Sequence, residues 1–454
     1  PCGTLFPYTT LFRSTLEDAS LALEDAALEL GLRGVLRDLT AAMPAVEGQL
    51  AWRGARWPLE SAPAMVESPE GHIDIRGSAE GYALELALAL AGPDLPASEW
   101  QGSAHGDRRS LTLDRLQGEL LGGTLVLAGP LAWDPRPRWD LTLETRDIDP
   151  GTLLPELAGA LNATLATQGQ LAVQGEPQAT VSIASLGASV LGTPIALQGD
   201  VRLRGTAATL QEVVLSSGGN RVSVSGEASE ERLDLDWTLS VPDPGRFLPG
   251  AAGQIEGRGR VAGSLRTPRL QASLRGSALA FDGIGADTLD LNLTAGLAND
   301  APLDLTLAAS GIRDGAEPLL ETLTLKALGS TDAHRLDADV QAPAGSLRLG
   351  ARGALSLASQ SWRGELTDLL AEAVTAGRWQ LDSAAALSLA ADSARLDRAC
   401  LVGGDSAGTL CLAGAWQAAG DITADIDLDG LPLALLSPSV SGSLSGTLDG
   451  SMTT

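Results

Sequence analysis

The chain has 454 residues, with 31 Lys plus Arg against 57 Asp plus Glu, a formal net charge of −26. So few cations cannot neutralise a phosphate backbone, which argues against nucleic acid, and no polybasic segment suits a membrane surface. Hydrophobic residues make up 44% and charged ones 19%, which excludes a disordered acidic tail. With 3 His, 3 Cys and a single Lys, Lys326, nucleophiles, general bases and soft metal ligands are scarce, so the reading is a non-enzyme with no cofactor and no metal.

Residues 1–14, Pro1 to Ser14, hold Phe6, Tyr8 and Phe12 and differ in composition from the rest of the chain. They resemble a translated sequencing adapter and are set aside as an artefactual leader. The ending, Ser445 to Thr454, stops inside a repeating pattern, so a fragment of a longer protein is expected. From Thr15 to Thr40 the spacing favours two strands around Gly31 and Gly34 over a helix.

Beyond that, short segments in which every second residue is apolar recur along the chain, the signature of a half-buried strand. Leu84, Leu86, Leu88 and Leu90 alternate with Glu85, Ala87 and Ala89. This is also the most apolar stretch, yet Tyr82 to Gly92 falls short of the roughly 20 residues that span a bilayer. Leu233, Leu235, Trp237 and Leu239 alternate with Asp234, Asp236 and Thr238. Leu289, Leu291 and Leu293 are followed by Leu303, Leu305 and Leu307, both sets interleaved by Asp, Asn and Thr. Punctuators such as Ser217-Gly218-Gly219-Asn220 and Gly403-Gly404-Asp405-Ser406 suit hairpin turns.

A longer period is visible as well. Asp149-Pro150-Gly151-Thr152-Leu153-Leu154-Pro155 leads to Gly159 and Gly169, and Asp243-Pro244-Gly245-Arg246-Phe247-Leu248-Pro249 leads in step to Gly253 and Gly263. A looser copy begins at Asp429 and leads to Gly442, Gly446 and Gly450. These boxes, 149–169, 243–263 and 429–450, punctuate a continuous repetitive sheet over 15–454, each LLP-type segment forming one helical turn as a linker or plug. At roughly 11 residues per strand and turn, about forty strands are expected, and so long a sheet must curl. The fold expected is all-β: an elongated, twisted, curled sheet of antiparallel or meandering strands with an apolar groove. Its candidate lining is the leucines named above together with Trp237, placed by alternation alone.

Trp362-Arg363-Gly364-Glu365-Leu366, Trp379-Gln380-Leu381, Cys400 with Cys411, and Asp425-Ile426-Asp427-Leu428 succeed one another in an order that resembles the middle region of the TamB family. Gly48-Gln49-Leu50-Ala51-Trp52-Arg53-Gly54, Gly81-Tyr82-Ala83-Leu84, Leu121 to Leu125 through Trp133 and Trp139, and both DPG-LP boxes are similar to the same family. The resemblance covers Thr15 to Thr454. It implies a protein anchored in the inner membrane of a Gram-negative bacterium and mostly periplasmic. It also implies a β-taco whose groove carries phospholipid, and a partner, TamA, in outer-membrane protein assembly. The family's N-terminal anchor and C-terminal TamA-binding region are expected to lie outside this fragment.

Cys400 and Cys411 fall directly opposite each other if a hairpin centres on Asp405-Ser406, within disulfide reach of ~3.5 to 4.5 Å between Cβ atoms. The short loop makes the bridge worth about 2 to 3 kcal/mol and marks an oxidising compartment such as the periplasm. Other motifs fail. Asp425 to Gly430 opens like a calcium loop, but its twelfth position is Leu436 where a Glu is needed, and it reads as a strand. Gly257-Arg258-Gly259 followed by Gly263 misses the dinucleotide spacing. His72, His105 and His334 are far apart and read as exposed surface residues. Three function classes remain: a lipid conduit, a scaffold for outer-membrane proteins that works by strand addition, and an adhesin, which the lack of polar Asn, Ser and Thr ladders disfavours.

Overall fold

Alternating side chains can all be satisfied only by an extended backbone, and each strand so formed must hydrogen-bond on both sides. A computed structural model describes residues 14–23, 28–37, 45–57, 65–93, 95–153, 155, 158–171, 176–190, 193–298, 300–356, 359–374, 377–404, 408–418, 420–433 and 442–452. Those residues form 29 strands and almost no helix. None of their helices is long and apolar enough to cross a membrane. The leader, apart from Ser14, lies outside the described residues, as do Asp405-Ser406 and residues 434–441 of the third box.

The chain divides into two compact units, Pro1–Gly218 and Gly219–Thr454. The first holds β1 (Ser14–Leu23), β2 (Leu28–Arg37), β3 (Ala45–Trp57), β4 (Val66–Ser78), β5 (Gly81–Gly92), β6 (Leu95–Gly106) and β7 (Ser110–Leu120). After these come β8 (Gly123–Ala132), β9 (Arg138–Ile148), β10 (Leu161–Gln170), β11 (Gln178–Val190), β12 (Thr193–Arg204) and β13 (Ala207–Ser217). The second unit opens with β14 (Asn220–Ala228), β15 (Leu233–Val241), β16 (Ala252–Gly263), β17 (Pro268–Phe281), β18 (Ile284–Gly296), β19 (Pro302–Asp314), β20 (Glu317–Ser330) and β21 (His334–Ala342). It continues with β22 (Gly345–Ser356), β23 (Ser361–Ala373), β24 (Gly377–Leu381), β25 (Ala385–Ala390), β26 (Ser393–Gly403), β27 (Thr409–Gln417), β28 (Ile422–Pro432) and β29 (Ser443–Met452). Within each unit consecutive strands pair antiparallel, as β1 does with β2 and β18 with β19. The one variation is that β24 and β25 together fill a single position between β23 and β26.

Twenty-nine strands, not about forty, is a correction with a physical cause. Most strands run 9 to 14 residues, as β15 and β20 do, because β-bulges carry them across breaks in the alternation. In β7 the register shifts between Leu113, opposite Gly129, and Leu116, opposite Leu127, so both leucines stay on one face although three residues apart. Ile183 and Leu186, and Leu396 and Ala399, are kept together in the same way. The opening is two strands as expected, but Gly31 and Gly34 lie inside β2 rather than at a turn. Gly34 sits opposite Gly48, and a methyl group there would press on the backbone of β3.

Both DPG boxes contain a single helical turn, just ahead of the LLP-type segment, at Pro150–Thr152 and Pro244–Arg246. Proline at the start suits it because its missing N–H is one that a helix leaves unpaired anyway. The Asp149 carboxylate accepts from the backbone N–H groups of Gly159 and Gly151, at 3.0 and 2.9 Å, and these bonds hold its pKa below the ordinary value. In the second box the Asn220 side chain brackets Asp243, donating to its carbonyl and accepting from its N–H.

The buried core is thin. One cluster gathers Leu366, Leu381, Ala385 and Ala399, with Leu349, Leu369, Leu396 and Leu401 against it.

Candidate functional site

Register places the candidate leucines unit by unit. In the first unit, Leu84 faces Ile75 and Ala104, Leu86 faces Ile73 and Gly102, Leu88 faces Gly71 and Trp100, and Leu90 faces Ser98, so all four share one side of the sheet. That side continues through Leu50 and Leu32. There Leu32, Leu36, Val46, Leu50, Ile73 and Ile75 line an almost wholly apolar cleft of about 470 Å³. Leu32 keeps 45% and Leu50 38% of its surface exposed, large fractions for leucines on a sheet's apolar side.

In the second unit, Leu233, Leu235, Trp237 and Leu239 face Gly263, Val261, Gly259 and Gly257. Leu289, Leu291 and Leu293 face Ala309, Leu307 and Leu305 across β18 and β19. Leu303, Leu305 and Leu307 in turn face Gly329, Ala327 and Leu325. One cross-strand row runs from Trp237 through Gly259, Ala272, Leu293, Leu305, Ala327 and Leu336 to Ala351. No charge interrupts it. Small residues beside large ones keep the row low.

Sequence reading missed how the tryptophans fit. Trp52, Trp100, Trp139, Trp237 and Trp379 each stand directly opposite a glycine of the neighbouring strand: Gly71, Gly118, Gly169, Gly259 and Gly403. The first four indoles lie over their glycines so closely that a methyl group at Gly118 would come 2.8 Å from Trp100 Cζ3, and one at Gly259 2.5 Å from Trp237 Cζ2. Lying flat, a tryptophan adds apolar surface without raising a barrier across the face. Gly257 and Gly259 thus serve packing, which accounts for the glycine-rich run in β16. The indole N–H groups of Trp52, Trp100 and Trp139 donate to Ser68, Ser98 and Thr167 at 2.9, 2.9 and 3.1 Å, so no polar hydrogen is stranded.

His334 is not an exposed surface residue. It is 6% exposed, its Nδ1 lies 2.9 Å from the Ser330 carbonyl, and its Nε2 accepts the Trp362 indole N–H at 2.8 Å. An Nε2 acceptor and an Nδ1 donor are together the pattern of a neutral ring. His105, by contrast, is exposed and bonds Asp114 at 2.8 Å.

The opposite side of the sheet carries charge in cross-strand pairs. Arg275 meets Asp290 at 3.3 Å and Arg348 meets Asp339 at 3.1 Å. Asp234 lies between Arg260 and Arg232, whose hydrogen bonds hold its carboxyl below the usual carboxylate range. Arg335 grips Asp337 with Nε and Nη2, lowering that carboxyl likewise. Cys400 and Cys411 are register partners, with sulfurs 2.15 Å apart. Their neighbours Ala399, Leu401, Leu410 and Leu412 belong to the apolar side, so the sulfurs lie on the charged one, beside the register partner Asp427, which pairs with Arg398. The Asp425-Asp427 segment is part of strand β28, and no metal-holding cluster occurs among the described residues.

Each unit is an antiparallel meander with one charged side and one apolar side, which defines the class as an all-β, repetitive sheet protein. The chain belongs to the TamB family: the model for the TamB N-terminal domain matches residues 19–454. Among curated proteins it is similar to the translocation and assembly module subunit TamB of Haemophilus influenzae, 23% identical over 302 residues, 65% of this chain. The match spans only 23% of that relative's length. No solved structure matches the chain.

Proposed function

We propose that this chain is the periplasmic part of a TamB-like bridge that carries phospholipids between the inner and outer membranes of a Gram-negative bacterium. Acyl chains lie on the leucine side and headgroups stay at the strand ends, with burial worth about 25 cal/mol per Å². The observation that carries this reading is the uncharged cross-strand row from Trp237 to Ala351, apolar throughout and half-buried at Trp237, Leu293, Leu305 and Leu336. Exposed apolar area on that scale marks a binding surface. No residue performs chemistry in this scheme.

The second reading, a scaffold for outer-membrane proteins working with TamA, is favoured by the relative's name as an assembly module. Purifying residues 15–454 from a bacterial periplasm without detergent and weighing the bound lipids tests the choice. Several phospholipids per chain support the conduit; a folded, lipid-free protein moves the assignment to the scaffold.

A further inference from the structure

Antiparallel pairing sends alternate turns to opposite rims. In the first unit, the turns after β6, β8 and β12 share one rim. Arg108, Arg109, Arg136, Arg138, Arg202 and Arg204 all lie in those turns or in the strand residues next to them, and all are exposed. Near the turns on the other rim, among the described residues of this unit, the only basic residues are Arg56 and Arg146. The chain as a whole has nearly two acids for each base, 57 against 31, so this segregation runs against its composition.

Two carboxylates on the basic rim, Asp107 and Asp134, are engaged, while Glu80 and Glu176 are exposed. Asp107 accepts from the N–H groups of Arg109 and Ser110, at 2.7 and 2.9 Å, and from the Ser110 hydroxyl. Asp134 pairs with Arg109 at 3.0 Å. Trp133 fastens two turns together: its backbone N–H donates to the Arg109 carbonyl at 3.0 Å and its indole N–H to the Arg108 carbonyl at 2.6 Å. Trp133 keeps 46% of its surface exposed. Guanidinium groups beside an exposed indole, at the edge of an apolar surface, form the combination that phospholipid interfaces select, because Arg matches phosphate and Trp suits the polar–apolar boundary.

We propose that this rim receives the headgroups of anionic phospholipids, with Arg136 and Arg138 taking the phosphate and Trp133 packing against the glycerol region. The proposal rests on the conduit reading and adds to it which rim the headgroups occupy and which headgroup charge is preferred. The test incubates the chain with phosphatidylglycerol or phosphatidylcholine vesicles at low salt, separates protein from vesicles, and counts bound lipids by mass spectrometry. The wild-type chain is expected to load phosphatidylglycerol about tenfold over phosphatidylcholine. In the Arg136→Glu/Arg138→Glu variant that preference falls to parity through loss of bound phosphatidylglycerol, while phosphatidylcholine loading stays at the wild-type level. Arg146→Glu, toward the other rim, leaves it intact. Equal loading of both lipids by the wild-type chain, or a preference that survives the double reversal, overturns the rim assignment and leaves the conduit standing. Binding of inorganic phosphate that depends on Arg136 and Arg138, without any lipid preference, overturns it in favour of a soluble anion. If neither lipid is loaded, the conduit reading itself fails and takes the rim assignment with it.

Discussion

Leu305→Asp is the most direct probe of the apolar side. Leu305 stands between Leu293 and Ala327 in the middle of the second unit's row, half-buried, so its loss costs the fold only about 1 to 2 kcal/mol. An acyl chain crossing that point would have to cover a carboxylate. A charge at the centre of a hydrocarbon layer costs about 3 kcal/mol on insertion scales, which translates to about a hundredfold weaker lipid binding. Thr306→Asp is the control. It puts the same charge one residue along, on the opposite side, where Thr306 faces Asn292 and Lys326. Binding of a fluorescent phospholipid to each purified chain, with circular dichroism to verify the sheet, gives the comparison. Undiminished lipid binding by Leu305→Asp, or an equal loss in Thr306→Asp, would refute the assignment of the leucine side as the lipid surface. Normal lipid binding with failed outer-membrane protein assembly in cells would point to the scaffold.

Gly259→Val should destabilise the second unit by about 2 kcal/mol in urea unfolding, and Trp237→Leu in the same chain should recover part of that, since the clash is with the indole and with β17. Replacing Cys400 and Cys411 by Ser should cost about 2.5 kcal/mol of the second unit's stability, from a sequence separation of 11, and leave lipid binding unchanged because the sulfurs are on the charged side. Trp362→Phe strands the buried Nε2 of His334 and should cost about 1 to 3 kcal/mol, read from the same unfolding curves. Asp337 and Asp234 have lowered pKa values, so the stability they confer is fully present above the unfolded-state value of 3.8 and is lost as pH falls through their lower folded-state values. The destabilisation caused by Arg335→Ala should therefore be present at neutral pH and fade on acidification as the pH falls from 3.8 through the lowered pKa of Asp337; a difference that did not shrink with falling pH would contradict the pairing.

The all-β class and the apolar side of individual strands were legible because period-two alternation depends only on neighbours in sequence. Strand length was not. The step from Leu113 to Leu116 looks like an end of alternation, and only the partners Gly129 and Leu127 reveal a bulge that holds both leucines on one side. Nor does sequence connect Trp237 with Gly259, since the pairing is fixed by where β15 turns into β16. His334 misled for a similar reason: it comes after a polar turn, but it opens β21 on the same side as Leu336, beneath the indole of Trp362 from a strand two positions away. The cysteine pair was accessible from local symmetry about a hairpin, whereas the side of the sheet it occupies required knowing where the bulge between Leu396 and Ala399 falls.

The antiparallel meander has a consequence for how such a sheet can change length. Within a unit, inserting or deleting one strand would reverse every later strand and carry each later turn to the other rim, so arginine-bearing turns would trade places with proline-box turns. Adding or removing a whole hairpin leaves every later residue on its own side and at its own rim. The first unit's DPG box accords with that parity: it follows β9, an odd-numbered strand, and so lies on the rim opposite the arginine-bearing turns. Length in this architecture is therefore a quantised variable, counted in hairpins, and the rims stay chemically distinct however many are added.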